Sequence, residues 1–249
     1  MARTIQQRET MMTAKAIAEP TSSREASIAP WWHTVLVIAV IAAACVASFY
    51  QHGLPNAHLP GLKDRLSSYV TAFVGEWLTV LLIAWGLRYR GLSLRDLVSG
   101  AWPNPRAVLK DLGLAIGFTI VVAPSLGLLL DYLSPATGTA LAHVEPQDFV
   151  ELAFWLPLSA TAGFCEELAF RGYLTRQFSA WTGSRTAGIL LQAIVFGVGH
   201  SYYNPVTIIG IVLLALLLGL FAAWRKSLRP VMLTHGLMDM LSGVATFLS

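Results

Sequence analysis

Three pairs of side chains in the C-terminal part of the sequence are each separated by four residues. They are Glu167 and Arg171, Phe196 and His200, and His235 and Asp239. Because residues four apart lie on the same face of an α-helix, each pair can present two groups toward a common point. Glu166, the neighbour of Glu167, is displaced around the helix by about 100°. Carboxylates, two imidazoles and a guanidinium can therefore converge on one site.

These ionisable groups lie in a sequence that is otherwise suited to lipid. Of the 249 residues 55% are hydrophobic and only 12% are charged, and the mean hydropathy is +0.60. Soluble domains carry about 25% charged residues. Placing one charged side chain in the centre of a bilayer costs about 2.5–3.5 kcal/mol on insertion scales, so ionisable residues there are functional by default. The composition predicts a membrane protein whose few buried charges perform chemistry.

The apolar segments predict an all-α, polytopic bundle with about seven transmembrane helices. Each segment has about the length that crosses a bilayer. They cover 31–50, 69–87, a third span ending near 131, a fourth beginning near 148, then 186–203, 206–224 and 230–249. We divide the chain into three parts. Residues 1–30 form a polar N-terminus that is expected to lack fixed structure. Residues 31–147 contain three helices, and residues 148–249 form the predicted catalytic part.

The basic residues predict how the chain is oriented in the membrane. Fifteen of the 17 lysines and arginines fall on the side of the N-terminus, and two, Lys63 and Arg65, fall on the other side. Cytoplasmic loops carry an excess of these residues, so the N-terminus is expected to be cytoplasmic. Basic inner loops and Ala-rich spans are typical of a bacterial inner membrane. Because the positive charge is spread between apolar segments, nucleic acid is not an expected partner.

The polar groups suit hydrolysis of a peptide bond within the membrane. A Glu that is sheltered from bulk water and bonded to an imidazole can activate water, and a His can donate to the oxyanion. Alternatively, Glu and His could hold a zinc ion that activates the water. At about 1.5 Å per helical residue, Glu166 lies about 15 Å from Arg176, and Asp239 lies about 15 Å from Arg229. His200, about 22 Å from Arg185 by the same rise, is the outlier, and the groups are expected to meet in the cytoplasmic half of the membrane.

The motifs Glu166-Glu167-x-x-x-Arg171, Phe196-x-x-x-His200 and His235-x-x-x-Asp239 resemble those of the CPBP family. This family comprises the CAAX-protease and bacteriocin-processing (Abi) intramembrane proteases, and the resemblance covers roughly residues 148–245. It implies an endopeptidase that cuts membrane-anchored proteins or peptides in or near the bilayer. Relatives in cells without prenylated proteins must cut other substrates, so the resemblance does not imply prenyl specificity.

The resemblance also implies a role for each motif residue. Glu166 would be the general base, His200 would position or activate the water, and Glu167 would pair with Arg171. His235 and Asp239 match the motif whose implied role is stabilisation of the oxyanion. An ionised Asp239 cannot donate a hydrogen bond, and it would instead orient His235 or bind a metal.

Two classes of mechanism stay open, because family members have been described as glutamic-type and as metalloproteases. In the metal-dependent alternative a zinc ion would be held by residues of these motifs, namely Glu166, His200, His235 and Asp239. The sequence contains no His-Glu-x-x-His helix, which is the usual signature of a zinc protease. The sequence therefore predicts no cofactor other than this alternative zinc ion.

Glu76 is a further carboxylate within the apolar residues of the second span. It lies about 18 Å from Arg88 along a helix, close to the depth of the predicted site. It could pair with Arg171, contact substrate, or partner another polar group inside the bundle. The rival to a protease is a non-proteolytic scaffold, immunity factor or small transporter that uses the same polar cluster. A transporter would be expected to show two related halves with broken helices, which this sequence does not show.

Overall fold

The computed structural model describes residues 26–52, 62–133, 144–200 and 204–248, and within these ranges the regular structure is helical throughout. An all-α fold is thereby confirmed. The helices, in chain order, are α1 Trp31–His52, α2 Leu62–Arg88, α3 Leu94–Val98, α4 Pro105–Leu133, α5 Phe149–Glu167, a π-helical segment Leu168–Leu174, α6 Thr175–Thr182, α7 Arg185–Gly199, α8 Pro205–Arg225 and α9 Arg229–Leu248.

Five of these helices are long and apolar enough to cross a membrane: α1, α2, α4, α8 and α9. Their surfaces carry exposed apolar side chains, for example Leu81 at 62% and Leu128 at 72% exposure. Helices that are apolar on their outer faces require lipid around them. A polytopic helical bundle is therefore confirmed. The other two spans of the predicted seven correspond to α5 with its π-helical continuation and to α7, which has 15 residues. The exact number of spans stays a prediction.

Turn and capping residues set the helix boundaries around the predicted catalytic part. Asp148 caps α5 by accepting hydrogen bonds from the amides of Val150 (2.8 Å) and Glu151 (2.9 Å). Gly183 ends α6 in the left-handed conformation, with φ +69°. Asn204 caps α8 by accepting from the Thr207 amide at 2.9 Å. Such caps satisfy backbone groups that the helix leaves unpaired, so the predicted boundaries near these residues are confirmed.

The contact between α5 and α9 brings the first and third motifs together. Gly163 of α5 and Gly236 of α9 face each other, and both are buried. A Cβ atom on Gly163 would lie 2.5 Å from the Gly236 nitrogen and 2.7 Å from the Met232 carbonyl oxygen. Small residues permit this close approach of two helix backbones. The approach occurs one turn from Glu167 on α5 and next to His235 on α9.

The end of the N-terminal segment is packed against the catalytic part. Ile28 and Ala29 are buried, and their amides donate to the side-chain oxygen of Gln177 at 2.8 and 3.3 Å. The Gln177 amide group donates in turn to the Ala29 carbonyl at 3.1 Å. The sequence predicted no fixed structure for residues 1–30, and residues 26–30 differ because a buried glutamine satisfies their backbone groups. Residues 1–25 lie outside the described ranges.

Candidate active site

Glu167 is the buried centre of the cluster that the three motifs form. Its side chain is fully buried, and Oε1 lies 2.8 Å from Arg171 Nη1 and 2.8 Å from His235 Nδ1. The first contact is the ion pair that the spacing predicts. The second joins the first and third motifs, which lie on α5 and α9. With Glu167 ionised, Nδ1–H of His235 donates to this carboxylate, and the opposite ring nitrogen, Nε2, faces away from it.

Two more accessible carboxylates lie on the Nε2 side of His235. Asp239 Oδ2 is 3.4 Å from Nε2, and Glu166 Oε2 is 3.8 Å from it. The side chains of Asp239 and Glu166 are 35% and 24% exposed, whereas Glu167 is fully buried. The two adjacent glutamates are therefore in different environments. Glu167 orients groups inside the bundle, and Glu166 can reach water.

Phe196 connects the second motif to the other two. Its buried ring lies under the Arg171 guanidinium, with 4.4 Å between the guanidinium carbon and the ring centroid. The same ring contacts His200 and His235, with centroid separations of 4.7 and 6.0 Å. A cation above an aromatic face is attracted by the ring quadrupole. Phe196 thus positions charged and imidazole groups from three helices, in addition to the packing role that its sequence indicates.

His200 directly follows α7, where the chain leaves the helix. Its Nδ1 lies 2.8 Å from the Phe196 carbonyl oxygen, four residues earlier. Since a carbonyl oxygen only accepts, Nδ1–H is the donor, and in the neutral imidazole Nε2 carries the lone pair. This bond fixes the ring at the edge of Phe196. The structure thus brings Glu166, Glu167, Arg171, His235 and Asp239 into one polar cluster, with His200 on the adjoining aromatic side.

Glu76 of α2 faces the same cluster. Its carboxyl group interacts electrostatically with Glu166, His235 and Asp239, and the side chain of Thr161 lies beside it. Its Oε2 is buried and has no hydrogen-bond partner in the described part of the chain. Of the three roles that the sequence left open, that of a partner for other polar groups inside the bundle fits this geometry. A pairing with Arg171 is not among these interactions.

Sequence reasoning did not single out Trp155 and Thr161, which support the cluster from α5. The indole Nε1 of Trp155 donates to the backbone carbonyl of Asp239 at 2.8 Å. The Thr161 hydroxyl lies beside Glu76 and donates to the Leu158 carbonyl at 2.9 Å. In a sequence, a tryptophan within an apolar span is indistinguishable from a packing residue or an interfacial anchor. No spacing rule could have identified either contact.

The residues named for the zinc alternative do not form a ligand set in this arrangement. Across the described residues, no group of three or more His, Cys, Asp and Glu side chains is placed to hold a metal ion. One nitrogen of His235 is directed at Glu167, and Nδ1 of His200 is bonded to Phe196. A zinc ion at these residues stays a prediction to be tested.

The fold and the cluster define a helical membrane protein with a buried Glu–His pair that joins two helices, α5 and α9. Residues 148–241 match the family model described as "Type II CAAX prenyl endopeptidase Rce1-like". The resemblance to the CPBP and CAAX proteases is therefore confirmed for this part of the chain, and the match supports a protease in a membrane. Searches of curated proteins and of solved structures found no match.

Proposed function

We propose that this protein is an intramembrane endopeptidase that hydrolyses membrane-anchored proteins or peptides with a water molecule activated by Glu166. One observation carries the proposal. A partly exposed glutamate lies 3.8 Å from Nε2 of His235, while the other nitrogen of this imidazole is fixed by the buried Glu167. The family match over residues 148–241 supports the same class of reaction.

Glu166 is the residue best placed to act as the general base. A base must reach the water that it deprotonates, and the Glu166 side chain is 24% exposed. Glu167 is fully buried and already interacts with Arg171 and His235. Glu167 therefore holds His235 in one orientation and is neutralised by Arg171. This division of roles agrees with what the resemblance implies for the two glutamates.

The imidazoles would act on the water and on the developing charge. His200, with Nδ1–H donating to Phe196, has a lone pair on Nε2 that can accept a hydrogen bond from the water. When His235 carries protons on both nitrogens, Nε2–H can donate to the oxyanion of the tetrahedral intermediate. Asp239, 3.4 Å from this Nε2, would orient the ring from the accessible side.

The reaction balances with these groups alone. As the water oxygen bonds to the scissile carbonyl carbon, Glu166 takes one water proton and the carbonyl electron pair moves to its oxygen. When the intermediate collapses, the carbon–oxygen double bond re-forms and the carbon–nitrogen bond breaks. Glu166 then returns its proton to the departing nitrogen, so a carboxylic acid and an amine are released.

We further propose that the N-terminus is cytoplasmic and that the protein resides in a bacterial inner membrane. The support is the distribution of the basic residues, since Lys63 and Arg65 are the two that fall on the opposite side. Labelling of single cysteines introduced at Arg106 and at Lys63 with a membrane-impermeant reagent in intact cells would test it. We expect labelling at Lys63 only.

The decisive experiment compares cleavage of a library of membrane-anchored peptides by wild-type protein and by Glu166→Gln in detergent. We expect the variant to lose cleavage by about 10²–10⁴-fold, which is the usual contribution of a general base. Asp96→Asn is a matched control, because Asp96 is an exposed carboxylate outside the cluster. Undiminished cleavage by Glu166→Gln would show that another group is the base.

The same preparation tests the zinc alternative and the rival function. Bound metal would be measured in the purified protein, and cleavage would be followed with and without a chelator. Loss of cleavage that added zinc restores would establish a metalloprotease. If the protein is instead a scaffold or an immunity factor, neither the wild type nor Glu166→Gln should cut any peptide. Glu166→Gln should then keep full activity in cells.

A further inference from the structure

A cavity of about 440 Å³ has Arg171, a member of the polar cluster, in its wall. It is lined by residues of the π-helical segment, α3, α6, α7 and α8 and by residues 26, 28, 99 and 226–228. Glu166, His235 and Asp239 do not line it. Among the described residues its wall contains four basic side chains and no carboxylate; the basic residues are Arg171, Arg176, Arg185 and Lys226. A cavity with this charge favours an anion.

The innermost basic group, Arg171, has hydrogen-bond donors that no protein group satisfies. Its side chain is 1% exposed, and its nearest anion is Glu167 at 2.8 Å. Phe196 covers one face of the guanidinium. Nevertheless Nε and Nη2 have no hydrogen-bond acceptor within the described ranges. Leaving buried, charged donors without acceptors is unfavourable, and an anion in the adjoining cavity would supply the missing oxygens.

The other basic residues extend from this buried end to the surface. Arg176 is held at the wall, where Nη2 donates to the Ser99 hydroxyl at 3.0 Å. Arg185 and Lys226 are exposed at the mouth, at the start of α7 and just beyond the end of α8. Helix ends of a membrane protein lie at the level of the lipid headgroups, where basic residues attract anionic lipid. The remaining wall includes apolar groups such as Ile28 and Leu228.

We propose that this cavity binds a phosphate group, supplied by an anionic phospholipid headgroup or by a soluble phosphate. Guanidinium groups match phosphate oxygens with paired hydrogen bonds, and two arginines are fixed in the wall before a ligand arrives. The excess of positive charge favours phosphate over a single carboxylate. This inference concerns binding, and it does not depend on the proposed protease activity.

The test uses the full-length protein and the double variant Arg185→Gln/Lys226→Gln. Arg106→Gln/Lys110→Gln is the matched control, because it removes the same charge from exposed residues near the start of α4 that do not line the cavity. Retention of phosphatidylglycerol, with phosphatidylcholine as the neutral comparison, is measured by native mass spectrometry. Binding of inorganic phosphate is measured separately by titration calorimetry. Thermal unfolding checks that all three proteins are folded.

We expect the wild type and the control to retain phosphatidylglycerol. Arg185→Gln/Lys226→Gln should bind it about tenfold less, because each surface cation contributes appreciably to anionic-lipid binding. That result would identify a lipid headgroup as the source. Binding of inorganic phosphate that depends on Arg185 and Lys226, without lipid retention, would support the site with a soluble ligand. Equal retention by all three folded proteins, or binding of neither probe, would overturn the proposal.

Discussion

Nδ1 of His235 lies 2.8 Å from Oε1 of Glu167, so the third motif is attached to the second glutamate of the first motif. The first glutamate faces the opposite nitrogen of the same ring at 3.8 Å. This arrangement places two adjacent carboxylates of one helix in two different environments.

Glu167→Gln should lower stability as well as activity, in contrast to Glu166→Gln. The substitution removes the anion that neutralises the buried Arg171, and breaking a buried ion pair on one side costs about 3–5 kcal/mol. Thermal unfolding in detergent measures the difference. We expect a clear fall in Tm for Glu167→Gln and a Tm near that of the wild type for Glu166→Gln. Equal Tm values would show that Glu167 does not have this structural role.

Gly163→Ala should disturb the contact between α5 and α9. The new Cβ would lie 2.5 Å from the Gly236 nitrogen, and overpacking of this kind costs about 1–3 kcal/mol. We expect a lower Tm and weaker cleavage, because the helices carrying Glu167 and His235 must separate. Gly127→Ala is the control, since nothing lies within 4 Å of its Cβ. If both variants behaved like the wild type, the close approach would not be needed.

Glu76→Gln should reduce cleavage several-fold while the protein stays folded. Glu76 interacts with Glu166 and Asp239 across the gap between α2 and the helices of the polar cluster, and an amide of the same shape cannot exchange a proton with these groups. Initial rates over a range of peptide concentrations would show whether kcat or KM changes. Unchanged rates together with unchanged expression would place Glu76 outside the reaction.

Gln177→Leu should destabilise the protein without altering the catalytic cluster. Its side-chain oxygen accepts from the Ile28 and Ala29 amides, and buried donors left without an acceptor cost about 1–3 kcal/mol each. A lower Tm is expected, with cleavage by the folded fraction retained. Limited proteolysis near residues 26–30 provides a second readout. Protection equal to that of the wild type would argue against this anchoring role.

The sequence was most informative where a single residue type determines local structure. Asp148, Gly183 and Asn204 gave helix boundaries because capping and left-handed backbone conformations require such residues. The pairing of Glu167 with Arg171 followed from their spacing along one helix. The hydrophobic composition was sufficient to predict a helical membrane bundle.

The contacts between helices could not be read from spacing. The bond from His235 to Glu167 depends on how closely α5 approaches α9, and that distance is set by two glycines 73 residues apart in the chain. The different exposure of Glu166 and Glu167 likewise arises from packing. Buried charge alone was not a reliable signal of chemistry. Glu151 is fully buried, but it pairs with Arg65 at 2.7 Å and serves as a structural anchor.

The π-helical segment Leu168–Leu174 changes the rotational phase of the long helix that contains α5 and α6. Each residue of an α-helix turns the chain by about 100°, and bonds that span five residues instead of four alter this progression. Residues after the segment consequently point in directions that an uninterrupted α-helix would not give them. The same long helix can thus present Glu166 and Glu167 toward α9 before the π-helical segment. After the segment it presents Gln177 toward residues 28 and 29.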